Sequence, residues 1–380
     1  MLTIKEKKAC CGCQACFDVC PAKCISMKPD AEGFLYPEVR QADCLDCELC
    51  EKVCPQLHAP SKGSDTPIAC YAAHASDEQL RAQSSSGGVF SLLAEAILAR
   101  GGIVFGARFD DSFTVCHAYT DTPDGLAPFR GSKYVQSDMR GAFSQVREFL
   151  KEGRPVLFTG TPCQIAGLRG FLRQTEDENL FLVSVICHGV PSPRIWKDYL
   201  KAVSADEWPS SVSMRNKDNG WTRFRIKIQR NEQDIINDCA FDNPYMKAFL
   251  NNLILRPSCY SCQFRGHHGS DLSLADYWGI ENVHPDLSDN KGTSLILAYS
   301  EKGKKLLSDL DITLKESRYE EALQGNSAIL YPPYTPIERS LFWKAFRRKG
   351  VKALQDYTTY GTKARARRLW ARVLRKLRLG

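Results

Sequence analysis

The strongest constraint on this chain is a cysteine pattern written twice. Cys10, Cys13, Cys16 and Cys20 form C-x2-C-x2-C-x3-C with Pro21 behind them; Cys44, Cys47, Cys50 and Cys54 repeat it with Pro55. Three thiolates at that spacing wrap three irons of a cubane from one short loop. The fourth begins the next helix, and the proline turns the chain there. Zinc takes four ligands in two pairs, so eight thiols in two interlocking copies overshoot a zinc site. A disulfide framework conflicts with the internal repeat and with a reducing compartment, where the chain's 17 cysteines fit metal or redox roles.

This is the ligand run of bacterial-type ferredoxins, in which the fourth cysteine serves the other cluster. The expectation is two [4Fe-4S] clusters. Cluster one takes Cys10, Cys13, Cys16 and Cys54, and cluster two takes Cys44, Cys47, Cys50 and Cys20. Cys11 and Cys24 fall outside the pattern and read as spectators. The segment PSKGSDTP, residues 60 to 67, is rich in Ser, Gly and Pro and reads as the linker that closes this module.

At 380 residues with 43% apolar side chains, the chain has room for a sizeable core and for two or three domains. No apolar run reaches the roughly 18 residues of a membrane helix. The start, MLTIKEKKAC, lacks an apolar signal core, so a cytoplasmic location is expected. The net charge of +7 is uneven: Lys363 to Arg378 holds eight Lys and Arg and no acid, leaving 43 basic against 44 acidic side chains elsewhere. Within that tail, Leu369, Trp370, Val373, Leu374 and Leu377 share one helical face. Such a helix suits the inner face of an anionic membrane, packing on the body, or docking of an acidic ferredoxin. Nucleic acid is not expected, because no binding motif accompanies the charge.

Beyond the linker, apolar runs alternate with helical patterns. Residues 89 to 106 read as a helix ending at Gly101-Gly102 and then a strand. VLFTG (156–160) and LFLVSVIC (180–187) read as buried strands, AFSQVREFLKEG (142–153) as a helix, and residues 222 to 238 as a hairpin. Alternation of this kind predicts an α/β body. A second set of cysteines stands at strand ends and loops: Cys163 in FTGTPCQ, Cys187 in VICHGVPSP, and Cys259 and Cys262 in RPSCYSCQFRG. From spacing, these converge on a third cluster or are simply small buried side chains. Cys70, Cys116 and Cys239 read as core residues. The stretch QSSSGGVFSLLAEAI (83–97) opens a helix, so it is either a phosphate cradle or only a cap. In RGSKYVQS (130–137), Lys133 and Tyr134 suit a phosphate and a stacked ring, or are merely solvated.

From about residue 83 to 300 the chain resembles the beta-subunit family of coenzyme F420 hydrogenase/dehydrogenase. The motifs that carry the resemblance are SSSGGVFSLLAE, RGSKYVQSD, VLFTGTPCQIAGL, CHGVPSP, RPSCYSCQF and DLSLADYWGIE. It implies FAD held beside a [4Fe-4S] cluster whose ligands fall on Cys163, Cys187, Cys259 and Cys262. It also implies flavin-binding positions at Ser85, Ser86, Gly87, Gly88, Gly131, Ser132, Lys133, Tyr134, Gly160 and Thr161. The family includes chlorophyll-derivative reductases and bacterial members associated with surface polysaccharide synthesis, which similarly carry the ferredoxin module in the same chain.

The fold expected is α/β: a mixed-sheet flavin-binding body over 68–350, an N-terminal α+β ferredoxin-like domain over 1–60, and a basic amphipathic helix over 360–380. The activity expected is that of an iron–sulfur flavoprotein oxidoreductase. Electrons would run from reduced ferredoxin or a similar redox protein through three clusters to FAD, then to an organic substrate such as a small molecule or glycan precursor. A flavin suits the junction because it accepts single electrons and delivers a hydride. His188 and Asp276 are the candidate proton donors. Two alternatives stay open: coenzyme F420 as the substrate, or a non-catalytic subunit feeding electrons to a partner enzyme.

Overall fold

The computed structural model describes residues 3–58, 66–173, 177–205, 207–266 and 269–358. The tail of residues 360–380 and most of the 60–67 linker lie outside the described residues. Thirteen strands are present among the described residues. They are β1 (Ile25–Pro29), β2 (Leu35–Val39), β3 (Ala69–Ala75), β4 (Ile103–Phe109), β5 (Val115–Thr120), β6 (Val156–Gly160) and β7 (Leu180–Val185). β8 (Ser211–Asn216), β9 (Arg225–Arg230), β10 (Gln233–Cys239), β11 (Leu272–Asp276), β12 (Ser294–Ala298) and β13 (Ile312–Glu316) complete the set.

Eight of these form one mixed sheet in the order β13-β3-β12-β11-β7-β6-β4-β5. The centre is parallel: β11 with β7, β7 with β6, and β6 with β4. Antiparallel strands flank it, β5 on one side and β12, β3 and β13 on the other. Helices cover both faces, so the central strands are apolar throughout; Val156, Leu157 and Phe158 are all fully buried. Because β12 runs against both β11 and β3, the ends of β3, β11, β7 and β6 share one edge of the sheet. That carboxyl edge is where open α/β sheets assemble their sites. The expected hairpin is β9 with β10, and β8 joins it in a separate antiparallel sheet of three.

The helix expected at residues 89 to 101 is Val89–Leu98, and that expected at 142 to 153 is Ala142–Lys151. The N-terminal segment contributes the β1–β2 hairpin and two short helices, Ala15–Val19 and Leu49–Lys52, each entered from a left-handed residue (Gln14 and Glu48).

Side chains bind this segment closely to the body. The buried Asp18 accepts from the Phe143 and Ser144 backbone amides at 3.0 and 3.2 Å. It thus caps the amino end of a helix 125 residues further along the chain, where negative charge is favoured. Glu32 and Arg339 form a two-pronged ion pair, and Ser192 Oγ donates to the Glu32 carbonyl at 2.5 Å. On helix Pro162–Phe171, Gly167 and Gly170 lie under the module. A Cβ at 167 would stand 2.8 Å from Cys13 Cβ, and one at 170 would stand 2.6 Å from the Val53 carbonyl oxygen. Gly167→Val is therefore expected to lower stability by about 1–3 kcal/mol through overpacking. Denaturant unfolding of the loaded protein beside wild type checks this, and equal midpoints would show that the contact yields freely.

Candidate metal centres and cofactor site

Two hollows mark the N-terminal segment. One is lined by Cys10, Cys13, Cys16 and Cys54, with Cys11 beside them. The other is lined by Cys20, Cys44, Cys47 and Cys50, with Cys24 beside them. Of the eight repeat cysteines, each wall thus takes three from one arm and the fourth from the other arm. Among the described residues, no three His, Cys, Asp or Glu side chains close around a point as they would on a single ion. The thiols ring a space instead, and sulfur-only donor sets fit iron–sulfur clusters. The second hollow is the more accessible: Cys47 is exposed and Leu45 beside it is 68% exposed.

The second set of cysteines comes from three elements. Thr161 and Gln164 form a capping box around Pro162, which places Cys163 in the first turn of helix Pro162–Phe171. Thr161 Oγ1 lies 3.2 Å from the Cys163 sulfur. A helix amino end favours a thiolate. Cys187 follows β7, where Arg265 donates to the carbonyls of Cys187 and His188. Cys259 lies in the turn Pro257–Ser261, with Cys262 at its end, and its sulfur accepts from the Val190 amide at 3.4 Å. The four thiols lie close enough to raise one another. Burial pushes Cys187 up to about 12, and Cys163 and Cys262 add to the effect. Burial likewise raises Cys259, with Cys187, Cys163 and Cys262 contributing. Such thiols stay protonated unless a metal takes the proton's place.

Two cysteines outside the ferredoxin pattern stand among these groups. Cys11 stands close enough to Cys13 and Cys163 to perturb both thiols, between the first arm and the second set. The Cys24 sulfur is 3.4 Å from that of Cys20. Sequence spacing gave no sign of either contact.

The segments expected to hold a flavin partly converge. Ser85 Oγ and Ser132 Oγ are 2.9 Å apart. Gly87 sits against the sheet, where a Cβ would stand 2.3 Å from the Ala73 carbonyl oxygen. Gly88, at φ +92°, begins helix Val89–Leu98 with no side chain at the cap. That amino end is suited to an anion. Ser86 is held by its hydroxyl, which donates to the Thr293 carbonyl, and through its own carbonyl by Lys217 Nζ at 2.9 Å. Burial lowers Lys217 to about 8.

Other expected positions point elsewhere. Lys133 Nζ is spent on the carbonyls of Phe129 and Arg130, at 2.9 and 2.8 Å, and burial lowers it to about 7. The Tyr134 ring packs 5.1 Å from that of Phe249, and its hydroxyl accepts from Arg215 at 3.2 Å. Gly131 has open space around it. Gly160 and Thr161 end β6 and serve the start of the Cys163 helix.

Of the two proton-donor candidates, His188 places Nε2 2.6 Å from Asn252 Oδ1, and burial lowers its pKa. Asp276 has both oxygens engaged, one by Arg215 Nη1 at 2.5 Å and one by Trp221 Nε1 at 2.9 Å. A carboxylate held so has each of its two oxygens already accepting a hydrogen bond. The Arg215 guanidinium lies over the rings of Phe224 and Trp278 at 4.4 and 5.2 Å. Its Nε and Nη2 make no hydrogen bond among the described residues. The sequence offered no motif for Arg215 or Lys217.

Sequence patterns of known families match in the same order as these elements. The 4Fe-4S dicluster domain covers residues 9–57. The N-terminal and C-terminal patterns of the coenzyme F420 hydrogenase/dehydrogenase beta subunit cover residues 70–143 and 153–320. The chain belongs to the coenzyme F420 hydrogenase/dehydrogenase beta-subunit family. Among curated relatives, a subunit of the F420H2 dehydrogenase of Methanosarcina mazei is 22% identical over 191 residues, 48% of this chain and 54% of the relative. The chain therefore spans about half the length of that relative. Among solved structures, a chain from xenon-derivatized F420-reducing [NiFe] hydrogenase complex of Methanosarcina barkeri is 15% identical. It aligns with a TM-score of 0.47 over 78% of this chain and 94% of that one. This beta-subunit family member thus joins a dicluster iron–sulfur segment to an oxidoreductase-type body. No helix among its described residues is long and apolar enough to cross a membrane.

Proposed function

We propose that this chain is an iron–sulfur flavin oxidoreductase that exchanges electrons with a redox protein, ferredoxin or similar, and reduces or oxidises an organic substrate. The observation that carries the reading is the run of thiols across the molecule. Each of two hollows is lined by four cysteines of the repeat and one outside it, and Cys11 stands between the first of them and Cys163. The proposed ligands are Cys10, Cys13, Cys16 and Cys54 for one [4Fe-4S] cluster, Cys20, Cys44, Cys47 and Cys50 for another, and Cys163, Cys187, Cys259 and Cys262 for a third. The proposed FAD positions centre on Ser85 to Gly88 and Gly131 to Tyr134, supported by the Ser85–Ser132 contact and the uncapped helix end at Gly88.

When bound, clusters exchange single electrons and a flavin delivers a hydride. The chain's own residues orient and insulate. Cys163, Cys187 and Cys259 are each partly buried around the proposed third centre. Lys217 fixes the serine loop, and Asp276 fixes Arg215. His188 is the better placed of the two proton-donor candidates, since Asp276 is committed to Arg215 and Trp221.

For the substrate we propose a sugar or lipid-linked glycan precursor, with the basic 363–378 tail holding the protein at an anionic membrane face. A second reading makes coenzyme F420 the two-electron partner, favoured by the name of the Methanosarcina mazei relative. Anaerobic purification with iron, sulfide and flavin counted per chain tests the shared part of these readings. About twelve irons and one FAD are expected for three cubanes beside a flavin; about eight irons without flavin would overturn the flavoenzyme. Bleaching of reduced F420 with an artificial acceptor decides between the two substrates.

A further inference from the structure

Arg256 is fully buried at the seam between the N-terminal segment and the body. Its Nε donates to the Cys10 carbonyl at 2.8 Å and its Nη1 to Gln136 Oε1 at 2.8 Å. Its Nη2 reaches the Leu35 carbonyl at 3.0 Å and the Cys10 sulfur at 3.5 Å. The ring of Tyr36 lies 4.3 Å from the guanidinium carbon. On the other side, the Arg256 amide donates to the Val190 carbonyl, and the Arg256 carbonyl accepts from the Cys259 amide at 2.9 Å. One residue thus touches the loop of Cys10 and the turn of Cys259. Gly12 makes room for it: at φ +75°, a Cβ there would stand 2.7 Å from both Arg256 Nη1 and Gln136 Nε2.

Among the described residues, no carboxylate lies within ion-pair reach of this guanidinium. A buried charge without a counter-charge costs several kcal/mol. The groups whose charge would offset it are the thiols of Cys10 and Cys259, which carry negative charge at neutral pH when bound to metal.

We infer that Arg256 is an electrostatic positioning residue between the Cys10 cluster and the Cys163/Cys187/Cys259/Cys262 centre, raising the reduction potential of the Cys10 cluster so that an electron rests there. The inference rests on the ligand sets proposed above. Reduction adds one negative charge to a cluster, and a cation held in a low-dielectric seam stabilises that added charge. A hydrogen bond to a ligand sulfur acts in the same direction.

The test is an EPR-monitored redox titration of the full, anaerobically purified chain, with iron counted first. In Arg256→Gln the cluster whose signal is absent from Cys54→Ser is expected to become at least tenfold harder to reduce, about 59 mV for one electron. Arg256→Lys keeps the charge and is expected to stay nearer wild type. Gln136→Glu leaves Arg256 in place and neutralises it with a carboxylate of the same shape, so it should lower the same potential with a full complement of iron. Gln136→Glu at wild-type potential overturns the inference, as does an equal shift in Arg256→Lys and Arg256→Gln. A wild-type chain with no iron would instead remove the ligand reading itself.

Discussion

A Cys54→Ser chain is expected to lose about four irons, the content of one cubane, and to lose them from the arm of Cys10, Cys13 and Cys16. Cys54 follows helix Leu49–Lys52 on the second arm, yet it lines the hollow of the first. Cys20 is its mirror image: it ends helix Ala15–Val19 and lines the hollow of Cys44, Cys47 and Cys50. A serine oxygen is a hard ligand and a poor substitute for thiolate on iron. Double variants expose the exchange without assigning any spectrum. Cys54→Ser with Cys13→Ser should still lose about four irons, because both remove the same cubane. Cys54→Ser with Cys47→Ser should lose about eight, because the two act on different cubanes and independent losses add. The reverse pattern would mean that each arm holds its own cluster.

The second large effect belongs to the other cysteine set. Cys187→Ser is expected to leave about eight of about twelve irons, with the EPR signals of the N-terminal clusters intact. Cys163, Cys187, Cys259 and Cys262 come from the segments after β6 and β7 and from one turn, and each thiol lies within electrostatic reach of the others. Cys239→Ser is the control. Cys239 ends β10 in the separate hairpin sheet and should cost no iron. Iron content in Cys187→Ser equal to wild type would remove the third centre and leave its residues as ordinary buried side chains.

Both effects bear on how much of the molecule is legible in the chain itself. Strands β4, β6 and β7 were readable because short apolar runs between turn residues are a local signal, and the helices between them follow from spacing alone. The Cys163 turn was half readable. Thr161, Pro162 and Gln164 spell a helix start, but the contact of Cys11 with Cys163 has no local signature. The flavin segments divide in the same way: Gly87 and Gly88 are where a close approach and a left-handed turn need them, whereas Lys133, which composition alone would aim at a phosphate, turns to two carbonyls at 2.9 and 2.8 Å.

By itself, the sequence determined what repeats and what alternates: the doubled ligand run, the α/β order of the body, and the cysteines left standing at strand ends. These are carried by spacings of two to four residues, which survive in any single chain. Tertiary structure decided the strand order β13-β3-β12-β11-β7-β6-β4-β5, the capping of helix Ala142–Lys151 by Asp18, and the placing of Arg256 on Cys10. The last two contacts join residues more than a hundred positions apart, 246 in the case of Arg256 and Cys10. Burial and charge balance select such partners only once the sheet has closed, and no periodicity along the chain announces them.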